Sequence, residues 1–327
     1  MSAAAPTVEA VVAAAGRHVP RLMTQVEDRL AVLTGGHGPL LSRHAGETIA
    51  AGGKRLRPLL VIVAAGEAAA AESARVVAAA AAVELVHSAT LVHDDVLDDA
   101  PLRRGRPTVL AAGGRAMATA TGDLLFSRAF AELAQGGDAE DLRILSAAAS
   151  DLARGEQLQR ADAWDAEVTE ERYRLRCELK TARLFQAACR LGARHGPGAS
   201  AEAALGEFGR RIGLAFQLLD DVLDVSGPPE RTGKARGTDL LDGTVTLPLI
   251  RARRRDPALA ALDLRTVRDP ARAREVCEAI AATGALEEAR AAALELVAAA
   301  KREMPALGEA QRRALGLVAD GVVARYR

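Results

Sequence analysis

Aromatic residues make up only 2% of this 327-residue chain. With so few rings, the stacking platforms that hold single-stranded nucleic acid are missing. Neither sign of charge prevails, since 43 Lys and Arg balance 43 Asp and Glu. No basic field therefore points to nucleic acid as a partner. Three cysteines, Cys177, Cys189 and Cys277, are too few and too scattered for a disulfide framework or a zinc site. A reduced, cytoplasmic setting is the expectation. Residues Met1 to Val12 lack a basic start and a Leu-rich core, and Arg17 is the first basic residue, so no signal peptide is expected. No apolar stretch is expected to reach the ~18–20 residues that span a bilayer. Segments with the two-residue period of a strand are absent too. What remains is alanine in abundance, followed by Leu, Val, Arg and Glu, a composition that favours helix almost everywhere. The expected fold is a single all-α domain over residues 1–327, of about ten or more helices.

Two stretches stand out against this background, His93-Asp94-Asp95-Val96-Leu97-Asp98-Asp99 and Gln217-Leu218-Leu219-Asp220-Asp221-Val222-Leu223-Asp224. Each carries Asp-Asp-Val-Leu-Asp at the end of a long apolar run with helical spacing. On a helix turning about 100° per residue, Asp94, Asp95 and Asp98 are expected at about 0°, 100° and 40°, on one face. Asp220, Asp221 and Asp224 repeat that arrangement. Carboxylates three and four residues apart weaken a helix by a few tenths of a kcal/mol per pair, so a counter-charge is expected. Mg²⁺ suits such a site, because one or two carboxylates hold it while waters and phosphate oxygens complete its shell. The spacing thus points to a Mg²⁺–phosphate site clamped between two helices. A solvated acidic helix end would explain one such motif. Two copies flanked by basic residues argue against it.

Taken in order, Val8 to Leu30 reads as a pair of amphipathic helices broken at Pro20. Gly52-Gly53-Lys54-Arg55-Leu56-Arg57-Pro58 then crowds cations at a helix start, where free N–H groups favour an anion. Residues 74–99 read as one helix on which His87, seven residues before Asp94, shares the aspartate face, whereas His93 points elsewhere. Residues 101–108 form a basic loop with Arg103, Arg104 and Arg106, suited to bind the remaining oxygens of a polyanion as bidentate forks. A further helix is expected to open at Thr121-Gly122-Asp123, and others at 141–159, at 173–191 around Lys180-Thr181, and at 202–224. The Gly/Pro-rich loop 227–234 supplies one more cation, Lys234. The run Arg251–Arg255 reads as a solvated helix end, and the rest as ordinary amphipathic helices.

These residues, in this order, resemble the trans-type isoprenyl diphosphate synthases, or polyprenyl synthetases. The similarity spans nearly the whole chain. It rests on Gly52–Pro58, Glu84-Leu85-Val86-His87, Asp94-Asp95-Val96-Leu97-Asp98, Arg103-Arg104-Gly105, Gly122-Asp123, Lys180-Thr181, Phe216–Asp224 and Gly237-Thr238-Asp239-Leu240. The resemblance implies an antiparallel helical bundle around a deep central cavity, usually as a homodimer. It implies Asp94, Asp98 and Asp220 as direct Mg²⁺ ligands, with Asp95, Asp221 and Asp224 supporting the metal site. Arg103, Lys180, Gln217 and Lys234 would surround an allylic diphosphate such as farnesyl or geranylgeranyl diphosphate, with Thr181 a further substrate-binding residue. Lys54, Arg57, His87 and Arg104 would hold the diphosphate of isopentenyl diphosphate. The implied catalytic set is Asp94, Asp95, Asp98, Lys180, Gln217 and Asp220. One position departs from the family, which commonly has Glu-Gly-Lys where this chain has Asp242-Gly243-Thr244. No diphosphate contact is carried over to Thr244.

The implied reaction needs no side-chain nucleophile, consistent with the lack of a convincing Ser/His/Asp or Cys/His set. Metal and cations stabilise a departing diphosphate. The C=C of isopentenyl diphosphate attacks the allylic cation, and proton loss completes a five-carbon extension. Relatives making short products often place aromatics four or five residues before the first cluster, where this chain has the small Thr90 and Ala89. The cluster also lacks the two-residue insertion common in short-chain enzymes. A medium- or long-chain product, such as a quinone side-chain precursor, is therefore expected, with geranylgeranyl diphosphate as the alternative. Ala89→Phe is expected to shorten the product. A terpene cyclase would not need the Lys54/Arg57/His87 set. A non-catalytic subunit of a heteromeric synthase typically lacks aspartates from one cluster, and both are complete here.

Overall fold

A computed structural model gives the fold and describes residues 8–197, 199–227 and 236–324. The chain opens with α1 (Val8–Ala15) and α2 (His18–Thr34). They are broken at Gly16, with φ +113°, rather than at the expected Pro20. Pro20 lies in the first turn of α2, where a missing N–H leaves no intrahelical bond unmade. Next come α3 (Pro39–Ala50), α4 (Leu56–Ala65) and α5 (Ser73–Leu97). Helix α5 is the axis of the bundle, packing on α2 and α4 and on two helices that follow it, α6 (Val109–Gln135) and α9 (Arg183–Arg194). Val76, Ala79, Ala80, Val83 and Val86 are buried along it.

Two expectations change here. An 18-residue window of α5 is long and apolar enough to cross a membrane, contrary to the reading that no such stretch exists. Its apolar length is taken up by neighbouring helices, with 72% of that window buried inside the protein. Helix α6 also begins well before Thr121. Thr108 caps it by accepting a hydrogen bond from the Ala111 N–H, and it runs through a kink at Gly114, φ +79°. A glycine pair reads as a break in sequence, but glycine alone takes that backbone angle cheaply and lets one bent helix continue.

Helix α7 (Ala139–Ala161) and α8 (Glu170–Cys177) follow. Glu178–Ala182 then form a π turn that runs straight into α9. The second aspartate cluster closes α10 (Ala199–Ser226), which packs on α9 and on Ala285–Arg302. Among the described residues the one sheet is a two-residue hairpin in the expected loop, pairing β1 (Leu102–Arg103) with β2 (Arg106–Pro107). The run at 251–255 is more than a solvated end. Arg251 reaches Glu170 at 2.9 Å, and Arg253 donates to the Leu259 carbonyl at 2.7 Å. Buried apolar residues from Val11 to Val323 form one cluster, and the fold is all-α. All three cysteines are buried and free.

Candidate active site

The C-terminal ends of α5 and α10 meet over a cavity of about 320 Å³. Asp94, Asp98, Asp220, Asp221, Arg103, Lys180, Thr181 and Gln217 all line it. Burial raises the Asp94 carboxyl to about 6, against the pull of Lys180. Asp98 is exposed and accepts a hydrogen bond from Arg160. Asp95 does not join them. About 100° further round the helix, it is buried and accepts from Arg103 Nε at 2.7 Å. It lines a separate cavity of about 450 Å³ behind α5. The expectation of three aspartates on one face thus holds for Asp94 and Asp98 alone.

The second cluster divides likewise. Asp220 is exposed at the cavity. Asp221 is buried and accepts from the Tyr173 hydroxyl at 2.6 Å and from Gln217 Nε2 at 2.8 Å. Gln217 in turn accepts from Thr181 Oγ1 at 2.7 Å. Burial, helped by the charge of Asp239, raises the Asp221 carboxyl to about 7, although the bonds from Tyr173 and Gln217 oppose it. Asp224 is not on the cavity wall. Its Oδ2 accepts from the Asp239 N–H at 3.2 Å, so it fastens the start of the short helix Thr238–Leu241 to α10. Its expected place in the metal set is not supported by this arrangement. Lys234 lies outside the described residues.

Local backbone explains how the cations arrive. A π turn, a frequent device at functional sites, carries Lys180 and Thr181 side by side on the cavity wall. Gly155 of α7 lets the turn come close, since a Cβ there would lie 2.4 Å from the Lys180 backbone nitrogen. Beside it, Glu156 accepts from Lys180 Nζ. The hairpin turn Arg104-Gly105 has φ of +54° and +75°, as a type I′ turn requires. Holding a non-glycine residue at such an angle is a strain usually found at functional sites.

Arg104 leads to a further cavity of about 610 Å³, lined also by Lys54, Arg57, His87, Phe185, Phe216 and Asp220. The Arg57 guanidinium sits 4.6 Å over the Phe185 ring, a cation–π contact. Burial lowers Arg57 to about 10, with Glu84 opposing and Arg104 adding to the effect. Burial and the charges of Arg57, Arg104, Arg103 and Arg55 hold His87 well below its ordinary value. His87 is therefore neutral, a hydrogen-bonding group rather than a cation. The two cavities share a wall at Arg57, His87, Leu91, Phe216 and Asp220. Below Asp94 another, mostly apolar pocket of about 230 Å³ runs past Thr90, Leu97, Phe126, Ala149 and Leu152. Ala89 is fully buried and lines none of these cavities, so the wall position is Thr90.

Among the described residues no three carboxylate, imidazole or thiol groups converge into a ready-made metal cage. The carboxylates of Asp94, Asp98, Asp220 and Asp221 nonetheless line the main cavity and offer oxygen donors. This set fits a hard divalent ion held by one or two carboxylates and completed by phosphate oxygens. Sequence reasoning missed Glu156, Arg160, Tyr173 and Arg176. Glu156 and Arg160 are four residues apart, bonded at 2.7 Å, and read as an ordinary surface pair.

A family model described as polyprenyl synthetase matches residues 39–283. The chain belongs to the polyprenyl synthetase family. It is 39% identical over 252 residues to the octaprenyl diphosphate synthase of Escherichia coli, covering 76% of this chain and 78% of that one. It is 38% identical over 294 residues to a short chain isoprenyl diphosphate synthase of Methanothermobacter thermautotrophicus, covering 87% and 90%. Its fold matches a polyprenyl synthase from Caulobacter crescentus, crystallised with calcium and isoprenyl diphosphate, with a TM-score of 0.90 and 35% identity over 100% of both chains. At this level the expected isoprenoid-synthase fold and prenyltransferase class both hold.

Proposed function

We propose that this chain adds isopentenyl diphosphate head-to-tail to an allylic diphosphate, with Mg²⁺, to give a medium- or long-chain all-trans polyprenyl diphosphate. Farnesyl or geranylgeranyl diphosphate would be the primer, and a quinone side chain the destination. The observation that carries the reading is the pair of cation-lined cavities with a shared wall at His87 and Asp220. Two diphosphates can lie side by side there, and an apolar pocket opens beneath one of them.

Asp94, Asp98 and Asp220 would hold the metal, with Asp221 braced by Tyr173 and Gln217 behind them. When bound, Mg²⁺ supplies Lewis-acid stabilisation of a leaving diphosphate. Lys180, Arg103, Thr181 and Gln217 bind and orient that allylic diphosphate. Lys54, Arg57, Arg104 and the neutral His87 hold the diphosphate of isopentenyl diphosphate, fixing its C=C towards the allylic carbon. Thr90, Phe126, Ala149 and Leu152 keep water from the cation and receive the growing chain. Residues 1–327 are read as one domain acting in the cytoplasm as a homodimer. Ala111, Ala112, Ala116 and Ala120, exposed along α6, offer a surface that a second copy can approach closely.

The test incubates purified protein with Mg²⁺, farnesyl diphosphate and labelled isopentenyl diphosphate, then chromatographs the dephosphorylated products. Long polyprenols are expected, and chelation should stop their formation. Asp94→Ala and Asp220→Ala should each lower kcat by about a thousandfold, given the several kcal/mol a metal contributes. Undiminished turnover in both variants would sink the reading. Geranylgeranyl diphosphate as end product is a second reading, supported by the 38% identity to the short-chain relative.

A further inference from the structure

The allylic cavity contains two cations that no motif assigns, the buried Arg176, which donates to the Val245 carbonyl at 2.6 Å, and the partly exposed Arg160. Arg160, near the end of α7, lines it together with Asp94, Asp98, Lys180 and Gln217. Its Nε donates to Glu156 Oε1 at 2.7 Å, and a terminal nitrogen donates to Asp98 Oδ1. The other oxygen of Glu156 accepts from Lys180 Nζ. Glu156, with its side chain only 11% exposed, thus aims cations from α7 and from the π turn at one acidic cavity. On the opposite wall the 242–244 turn contributes Asp242 and Thr244 but no cation. A diphosphate entering between Asp94, Asp98 and Asp220 needs positive charge from its flanks, and Arg160 on α7 adds to that of Lys180 and Arg103.

We propose that Arg160 is a diphosphate-binding residue of the allylic site, and that Glu156 is the positioning residue that sets both Arg160 and Lys180. The proposal rests on the prenyltransferase reading and deepens it. With Asp98 engaged by a metal–diphosphate, Arg160 would keep its Nε bond to Glu156 and turn its terminal nitrogens, now on Asp98 and, at 3.4 Å, on the Leu97 carbonyl, towards the anion. That fork matches two phosphate oxygens.

The full-length protein is tested in two ways, by steady-state turnover with each substrate varied and by calorimetric titration with inorganic diphosphate. Arg160→Gln should raise the KM for farnesyl diphosphate and the Kd for inorganic diphosphate by about 10- to 100-fold. The KM for isopentenyl diphosphate should not move, and Arg160→Lys should recover part of the loss. Glu156→Gln, at a group that touches no substrate, should shift the same two constants in the same direction and lower kcat through Lys180. If Arg160→Gln instead lowers the Mg²⁺ needed for half-maximal rate and leaves diphosphate affinity intact, Arg160 is only a stand-in at Asp98 and the proposal fails. A parallel rise in both KM values with a lower Tm, unrelieved by Arg160→Lys, would mark a purely structural role and overturn it as well. An inactive wild type would sink the prenyltransferase reading, while the calorimetric comparison would still decide the role of Arg160.

Discussion

Replacing Gly155 by alanine tests how tightly the position of Lys180 is fixed. The added methyl would lie 2.4 Å from the Lys180 nitrogen, 2.8 Å from its Cα and 2.9 Å from its Cβ. Two of these three neighbours are backbone, so no side-chain rotation relieves the contact. Reaching an ordinary separation of about 3.5 Å requires α7 or the π turn to move by about 1 Å. Overpacking of this kind costs about 1–3 kcal/mol, and the better helix propensity of alanine returns about 1 kcal/mol. At ~2 cal/mol/K per residue of unfolding entropy, the net loss lowers Tm by at most about 3 °C in a chain of this size. Activity should suffer far more, because a displacement of ~1 Å at a substrate-positioning group can cost about a hundredfold in rate. Gly192→Ala provides the comparison, since its methyl would lie 2.2 Å from the Val61 carbonyl oxygen, between α9 and α4. That variant should lose Tm while its folded fraction turns over normally. Thermal melts and kcat/KM measured on both proteins decide the matter. A Gly155→Ala protein with lowered Tm but full kcat/KM would refute the reasoning.

Thr90→Phe should fill the apolar pocket below Asp94 and shorten the product, whereas Ala89→Phe should mainly destabilise the core, as chromatography and melting curves would show. Asp141 pairs with Arg194 Nε and His195 Nε2, each at 2.7 Å, so Asp141→Ala should cost about 2–3 kcal/mol in urea unfolding. A loss well below 1 kcal/mol would show that Asp138 alone satisfies Arg194. Burial works to raise the Glu170 carboxyl, but hydrogen bonds from Arg251 and Arg174 outweigh it and hold the group below its ordinary 4.5. Its contribution is therefore present above that value and lost as pH falls through the lower folded one. Glu170→Gln should flatten this part of the acid unfolding curve, and an unchanged curve would exclude the effect.

Much of the site was legible because its chemistry is concentrated in repeated local patterns. The two Asp-Asp-Val-Leu-Asp runs, the Gly52–Pro58 stretch and Arg103-Arg104 announce acid and cation clusters wherever the helices go. Helical angles also placed His87 beside Asp94 correctly. They failed for Asp95 because a face 100° wide is too coarse to distinguish a cavity wall from its back. For Asp224 they did not foresee that a carboxylate at a helix end has backbone N–H groups within reach, and here it accepts from Asp239 at the start of Thr238–Leu241. The start of α6 was missed because a kinked helix and a broken one share the same glycines. Glu156 and Arg160 were invisible for another reason. Their partners Lys180 and Asp98 are remote in sequence, and only packing brings them together.

The π turn at Glu178–Ala182 also constrains how this protein can change. Such a turn holds one residue more than the regular pitch, so all of α9 is rotated by about 100° relative to an unbroken continuation of α8. Deleting a single residue there would straighten the rod, yet it would swing Leu184, Ala188 and Leu191 out of the core they now fill. The irregularity that seats two cavity-facing side chains is therefore locked in by the core residues of α9 downstream, most of which lie away from the cavities.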